Sequence, residues 1–169
     1  MNNSIVAKLK SGNEKTILAA IEEIRVHGNN EIIPALLSLI LDNPSDLLVQ
    51  SIIKVLNDLK DPLAVPIIAE ALNLFRGNKY LSLLVASCWQ NGLDFSEYLI
   101  LFFDLALTEE MEVAIEAYSV IEENIHNLNI AEKQKLAEFI KLKAQGSPND
   151  CKLKLLLELT YSLNSTDEY

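Results

Sequence analysis

Apolar residues along most of the chain recur at spacings of three and four, which is the period of an α-helix with one buried face. Within residues 13–26, for example, Ile17, Leu18, Ile21 and Ile24 form one such stripe. The strict alternation of apolar and polar residues that marks a half-buried β-strand is nowhere sustained. The pattern therefore predicts an all-α protein.

Polar residues, glycine and proline interrupt the apolar stripes and predict where each helix ends. The segments 42–44 (Asp-Asn-Pro) and 60–62 (Lys-Asp-Pro) are two such breaks, because helical geometry is disfavoured for the residue before a proline. Nine helices of similar length are predicted, joined by short turns. They cover residues 13–26, 31–41, 45–59, 62–75, 79–90, 95–107, 109–127, 131–145 and 150–163.

Three stretches of the chain share one plan, a helix followed by a break and a longer helix. They are residues 30–59, 62–92 and 95–124, and Pro34 and Pro66 lie 32 residues apart near the start of the first two. Self-similarity over a few tens of residues is typical of solenoids, in which one helix pair cannot bury its apolar face and stacked neighbours share a core. We therefore predict an α-α superhelix of about four to five helix pairs.

The stretch EIIPALLSLILDNPSDLLVQSIIKVLNDL, residues 31–59, resembles a repeat unit of the HEAT/armadillo class, with a proline early in its first helix. The resemblance extends over about residues 13–125. HEAT units often carry an aspartate after the first helix and an arginine in the second, which form a ladder. Asp42 fits the first role, whereas Gln50 stands where the arginine is expected. The resemblance implies a HEAT-like solenoid whose second helices line a concave, partner-binding face.

The length of 169 residues suits a single domain that buries a sizeable core without a metal or a disulfide. We expect one HEAT-like repeat domain over residues 1–169. Its parts are an N-terminal cap (1–12), the repeats (13–125), a C-terminal capping helix pair (130–163) and a flexible tail (164–169).

The net charge of −10 and the pI of about 4.6 argue against two classes of partner. Nucleic acids and anionic membranes both attract proteins through lysine and arginine. The longest apolar run, residues 98–103, is too short to span a membrane, and the first residues do not resemble a secretion signal. Cys88 and Cys151 lack C-x-x-C spacing and lie in apolar patterns, which predicts buried free thiols in a reducing compartment. We expect a soluble, cytoplasmic protein.

The stretch EEMEVAIEAYSVIEEN, residues 109–124, contains six glutamates, and no lysine or arginine occurs between Lys79 and Lys133. Ten acidic residues lie in that interval. On a helix with about 100° per residue, one side carries an acidic ridge and another an apolar stripe expected to face the core. The ridge is Glu109, Glu112, Glu116 and Glu123, and the stripe is Met111, Ala114, Ile115, Tyr118 and Ile121. Thr108 is the expected N-cap of this helix.

A field of one sign can attract and hold a basic partner, although a solvated face that aids solubility is the simpler interpretation. The expected function is a non-catalytic scaffold or adaptor that presents an acidic concave surface to a basic protein. Its candidate contact residues are Glu109, Glu112, Glu116, Glu123, Tyr98 and Tyr118. Two alternatives are an immunity-type or inhibitor protein that masks a basic toxin or nuclease, and an enzyme with a HEAT-like fold.

Aromatic residues cluster in the middle of the chain, and their helical spacing predicts that most of them belong to the core. They are Tyr80, Trp89, Tyr98, Phe102 and Phe103. The best candidates for exposure are Tyr98 and Tyr118, which lie beside the acidic residues.

Catalytic and cofactor signatures, including a nucleophile elbow, a phosphate loop and H-E-x-x-H, do not occur in the sequence. Glu123 and His126 match half of a di-metal Glu-x-x-His pattern, but an ordinary helix-end histidine is the simpler interpretation. Cys88 is expected to be inert through burial, and no cofactor is expected.

Basic residues gather in the last two helices. They are expected to form either a solvated cap or a surface for weak head-to-tail self-association. They are Lys133, Lys135, Lys141, Lys143, Lys152 and Lys154.

Overall fold

A computed structural model of the protein describes residues 2–27, 30–42, 44–144 and 151–164. All regular structure in these ranges is helical and no strand occurs in them, which confirms the all-α prediction. The α-helices are α1 (Asn2–Leu9), α2 (Glu14–His27), α3 (Ile33–Leu41), α4 (Asp46–Asp58), α5 (Ala64–Leu74), α6 (Leu81–Gln90), α7 (Leu99–Thr108), α8 (Met111–Asn124), α9 (Ile130–Ala144) and α10 (Cys151–Asn164). Short 3-10 turns cover Asn30–Ile32, Ser96–Tyr98 and Ile125–Asn127.

The nine predicted helices correspond to α2 through α10, and α1 is an additional helix in the predicted N-terminal cap. Ile5 and Leu9 of α1 are buried, so this cap contributes to the core. The predicted tail lies outside the described residues from 165 onward, and residue 164 is the last residue of α10.

The start of α8 differs from the prediction. The helix begins at Met111, and Glu110 takes the extended conformation of an N-cap residue without a side-chain cap hydrogen bond. Thr108 is instead the last residue of α7, where its hydroxyl donates to the carbonyl of Asp104 at 2.8 Å. The prediction of Thr108 as the N-cap of α8 is wrong because this hydroxyl is held by the preceding helix.

Contacts divide the chain into two compact units, Met1–Leu93 and Asp94–Tyr169. In the first unit the six helices form three consecutive pairs, α1/α2, α3/α4 and α5/α6. Their first helices pack in series, and so do their second helices. The two helices of each pair also contact each other. The apolar sides of all six helices thereby share one core, in which Ile21, Leu36, Ile52 and Leu56 are fully buried.

Polar contacts join the ends of successive second helices in the first unit. The Arg25 guanidinium donates to the Asp58 carboxylate at 2.9 Å, and the Asn57 amide donates to Gln90 at 2.5 Å. Each pair is separated by 33 residues. The chain therefore repeats a polar link at the C-terminal ends of these helices, away from the ladder position that the resemblance assigns to Asp42 and Gln50.

In the second unit α7 and α8 pack together, α9 contacts α7, and α10 contacts α7, α8 and α9. The core contains Phe95, Phe102 and Phe103, all fully buried. The rings of Phe95 and Phe102 meet edge to face with centroids 5.8 Å apart, a favoured geometry for an aromatic pair. None of the helices in the described ranges is both long and apolar enough to cross a membrane.

Candidate functional site

The buried side of α8 differs in part from the predicted stripe. Ala114 and Ile121 are buried as predicted, but the rest of the buried side is formed by Val113, Ala117, Val120 and Asn124. Met111 and Ile115 are 45% and 58% exposed, so their assignment to the core is wrong. The helix carries apolar residues over two adjacent arcs, and the small residue Ala117 belongs to the arc that packs inward.

The candidate glutamates do not all share one element. Glu112, Glu116 and Glu123 lie within about 40° on one side of α8, where Glu112 and Glu123 are exposed and Glu116 is partly buried. Glu109 lies outside α8, as the extended residue that follows α7. The structure therefore brings three of the four candidate glutamates together as a ridge, which we call the α8 acidic ridge (Glu112, Glu116 and Glu123).

Two C-terminal lysines approach acidic parts of the second unit. The Lys152 ammonium donates to the backbone carbonyl of Glu109, and the Lys143 ammonium lies 3.5 Å from the Asp104 carboxylate. Across the described ranges, neither Glu112 nor Glu123 forms an ion pair. The lysines of the C-terminal helices thus leave at least these two carboxylates of the α8 acidic ridge open to a partner.

The two candidate tyrosines are both partly buried and lie in different places. Tyr98 ends the 3-10 turn Ser96–Tyr98 before α7, whereas Tyr118 lies in the middle of α8. Burial, together with the nearby carboxylates of Glu122 and Glu158, raises the pKa of the Tyr118 phenol above its ordinary value.

The aromatic cluster is mainly core, as predicted. Tyr80, Phe102 and Phe103 are buried. Trp89 is the departure, since it lies near the end of α6 and is 37% exposed.

An apolar groove runs between α8 and α10, and we call it the α8–α10 groove. Its volume is about 150 Å³. The main lining side chains are Met111, Ile115 and Tyr118 from α8 and Lys152, Leu155 and Leu156 from α10. Leu155 is 48% exposed, so apolar surface faces solvent from both helices.

This groove was not predicted, because the helical stripe placed Met111 and Ile115 toward the core; Tyr118 belonged to that stripe and was also a candidate for exposure. The sequence did contain a signal. Met111, Ile115 and Tyr118 occupy an arc of about 60° around the helix axis, and the apolar residues Val113 and Ala117 lie outside that arc. Two apolar arcs on one helix indicate a second packing surface. The sequence alone does not say which arc faces the core.

The cysteines and the histidine of the candidate chemistry lie in different elements, Cys88 in α6, Cys151 in α10 and His126 in the 3-10 turn Ile125–Asn127. Cys88 is buried, its thiol donates to the Leu84 carbonyl at 3.4 Å, and burial raises its pKa far above the ordinary range. Cys151 is exposed, so its predicted burial is wrong: it is the first residue of α10, where the core contacts begin only at Leu153. His126 is exposed. No group of three or more His, Cys, Asp and Glu among the described residues is placed to hold a metal ion.

Comparisons with protein-family models, with curated proteins and with solved structures each found no match.

Proposed function

We propose that the protein is a non-catalytic interaction module that binds a basic region of another protein through its α8 acidic ridge. The observation that carries the proposal is the placement of Glu112 and Glu123 on one side of α8, exposed and without an ion pair to any described residue. A cationic partner would offset the negative charge that these two carboxylates expose.

The charge of the surrounding sequence supports the same function. No lysine or arginine lies between Lys79 and Lys133, so acidic side chains dominate the field of this interval, although Lys143 and Lys152 approach two of its residues. Such a field raises the association rate of an oppositely charged partner and weakens as salt increases.

For the fold, we propose a HEAT-like solenoid. The serial packing of α1, α3 and α5, and of α2, α4 and α6, supports this assignment, as do the polar links between residues 33 apart. In a solenoid each repeat contacts its neighbours and leaves outward faces for binding. Two free cysteines support a reducing, cytoplasmic location.

Charge reversal tests the proposal. The variant Glu112→Lys/Glu123→Lys should lose most of the protein that the wild type captures from native lysate at low salt, because it converts two exposed anions of the ridge into cations. Captured proteins are identified by mass spectrometry, and we expect them to be basic and to be released as the salt concentration rises.

A matched control reverses two exposed charges of the first unit, in the variant Glu31→Lys/Glu70→Lys. This control changes the net charge by the same amount and should retain the captured protein. Capture that survives reversal of the ridge, or that is lost equally in the control, would contradict binding at the α8 acidic ridge.

A further inference from the structure

The α8–α10 groove leaves large apolar side chains from two helices exposed to solvent. Met111, Ile115 and Leu155 are each close to half exposed, and they line one continuous depression. Isolated exposed apolar residues are ordinary on protein surfaces, whereas these three line one depression, and concave, mostly apolar sites are where proteins bind ligands. The volume of about 150 Å³ is comparable to that of an apolar cavity that accepts a benzene ring. The groove is therefore large enough for one large apolar side chain.

Carboxylates flank this groove along α8. Glu112 lies about 60° around the helix from Ile115 and is exposed. Glu122 follows Tyr118 by four residues, so the two lie on the same side of α8. A segment that enters the groove therefore passes carboxylates on the α8 side.

The α10 wall carries a carboxylate at the Tyr118 end of the groove and a cation at the other end. Glu158 lies three residues after Leu155 on α10 and is close enough to Tyr118 to affect its phenol electrostatically. Lys152 lies at the Met111 end, where its ammonium is held by the carbonyl of Glu109. The cation of the groove is thus engaged within the protein, and the carboxylates of Glu112, Glu122 and Glu158 form no ion pair with the rest of the described chain.

We propose that the α8–α10 groove receives a large apolar side chain from a basic amphipathic segment of the partner protein, whose lysines or arginines lie against Glu112, Glu122 and Glu158. This inference rests on the proposed function and deepens it, because it names an apolar anchor in addition to charge. Amphipathic helices bind apolar grooves through anchor side chains at helical spacing, and flanking charges then select basic over acidic segments.

The methionine content of the protein gives the test a direct reporter. The chain contains two methionines, Met1 and Met111, so a sample labelled with ¹³C at the methionine methyls reports on the groove through one assignable signal. The Met111→Leu variant assigns it.

Three synthetic peptides of about 18 residues serve as probes, since this length permits helix formation. One is an amphipathic helix of lysine and leucine, the second replaces its leucines by alanine, and the third replaces its lysines by glutamate. We expect the lysine–leucine peptide to shift the Met111 methyl signal and to bind about tenfold more tightly than the lysine–alanine peptide, because burial of a large apolar side chain is lost in the latter. The glutamate–leucine peptide should not bind.

Two single substitutions test whether the leucine side chains of the peptide bind in the α8–α10 groove. Ile115→Gln removes apolar surface from an exposed position of the groove, so the fold should persist while the advantage of leucine over alanine falls to less than about threefold. The control is Leu142→Gln, at an exposed apolar residue of α9 (70% exposed, against 58% for Ile115) that does not line the groove, and it should leave that advantage unchanged. Circular dichroism verifies the helical content of both variants.

The outcomes separate the two proposals. If both lysine peptides bind equally, depend on Glu112 and leave the Met111 methyl unshifted, the groove inference is overturned and the proposed function stands. If the glutamate–leucine peptide shifts the Met111 methyl as strongly as the lysine–leucine peptide, the preference for a basic segment is overturned. If no peptide binds below millimolar concentration, both proposals are contradicted.

Discussion

The side-chain carbonyl of Asn124 accepts a hydrogen bond from the backbone N–H of Phe95 at 2.7 Å, across 29 residues of sequence. The amide nitrogen of the same side chain donates to the Val120 carbonyl at 2.8 Å. Asn124 is 3% exposed, so this single side chain satisfies two backbone groups in the interior and fixes the end of α8 to the segment that enters α7. Buried polar groups are tolerated where they are bonded in this way.

Replacement of Asn124 by alanine should lower the free energy of unfolding by about 1–3 kcal/mol, because it leaves the buried Phe95 N–H without a partner. Urea titration followed by circular dichroism measures the change. Gln134→Ala, on the exposed side of α9, is the control and should alter stability by less than about 0.5 kcal/mol. Equal effects of the two substitutions would show that the Asn124 bond contributes nothing.

Gly77 lies in the turn between α5 and α6 with a positive φ of 69°. A methyl group added there would meet no heavy atom within 4 Å, so the cost of Gly77→Ala comes from the backbone conformation alone. We expect the free energy of unfolding to fall by about 1–2 kcal/mol. Gly77→Asn should cost less, since asparagine tolerates this conformation. A stabilising Gly77→Ala substitution would contradict the left-handed backbone at this turn.

The two cysteines should differ in reactivity. Cys151 is exposed and Cys88 is buried with its pKa raised by burial, and the thiolate is the reactive form. Ellman's reagent should therefore label about one thiol per chain in the native protein and the second only after unfolding. Cys151→Ser should abolish the fast reaction, and Cys88→Ser should leave it intact. Rapid labelling of two thiols in the native protein would contradict the burial of Cys88.

Titration of Tyr118 should report on the groove. Its pKa is raised by burial first and then by Glu122 and Glu158, so Glu122→Gln and Glu158→Gln together should lower that pKa without returning it fully to its ordinary value. ¹³C NMR of labelled tyrosine rings measures the titration, and Tyr118→Phe assigns the signal. An unchanged Tyr118 pKa in the double variant would contradict the proximity of both carboxylates to the phenol.

The same shift has a consequence for stability at high pH. The pKa of Tyr118 is higher in the folded than in the unfolded protein, so its contribution to stability is fully present below the unfolded value of about 10 and is lost as the pH rises through the folded value. Unfolding in urea at several alkaline pH values should show a shallower loss of stability in Tyr118→Phe than in the wild type. Identical pH dependence would contradict the raised pKa.

The helices of this protein were largely predictable because local patterns set their ends. Pro44 and Ser45 show how this works: proline breaks the preceding helix, and the Ser45 hydroxyl accepts from the Leu48 N–H at 3.3 Å to begin α4. The start of α8 shows where it fails: threonine is a preferred N-cap residue and glutamate is not, yet Glu110 takes that position because the preceding helix α7 holds the Thr108 hydroxyl.

The candidate site was less predictable because it depends on which arc of α8 faces inward. Ile115 and Val113 are both apolar and two residues apart, so helical periodicity permits either arc to pack. Glu112, Glu116 and Glu123 share one side in any α-helix, and that grouping followed from spacing alone. The exposure of Met111 and the groove beside it did not follow from the spacing of residues in the sequence.

By itself, the sequence determined the all-α class, the approximate ends of nine helices and the acidic side of α8, because these depend on interactions between residues a few positions apart. The tertiary structure decided the packing of α10 against α8, the exposure of Met111, Ile115 and Trp89, and the links from Arg25 to Asp58 and from Asn124 to Phe95. Those features depend on contacts between residues distant in the chain, and a local pattern of polarity does not specify which of two apolar arcs meets a neighbouring helix.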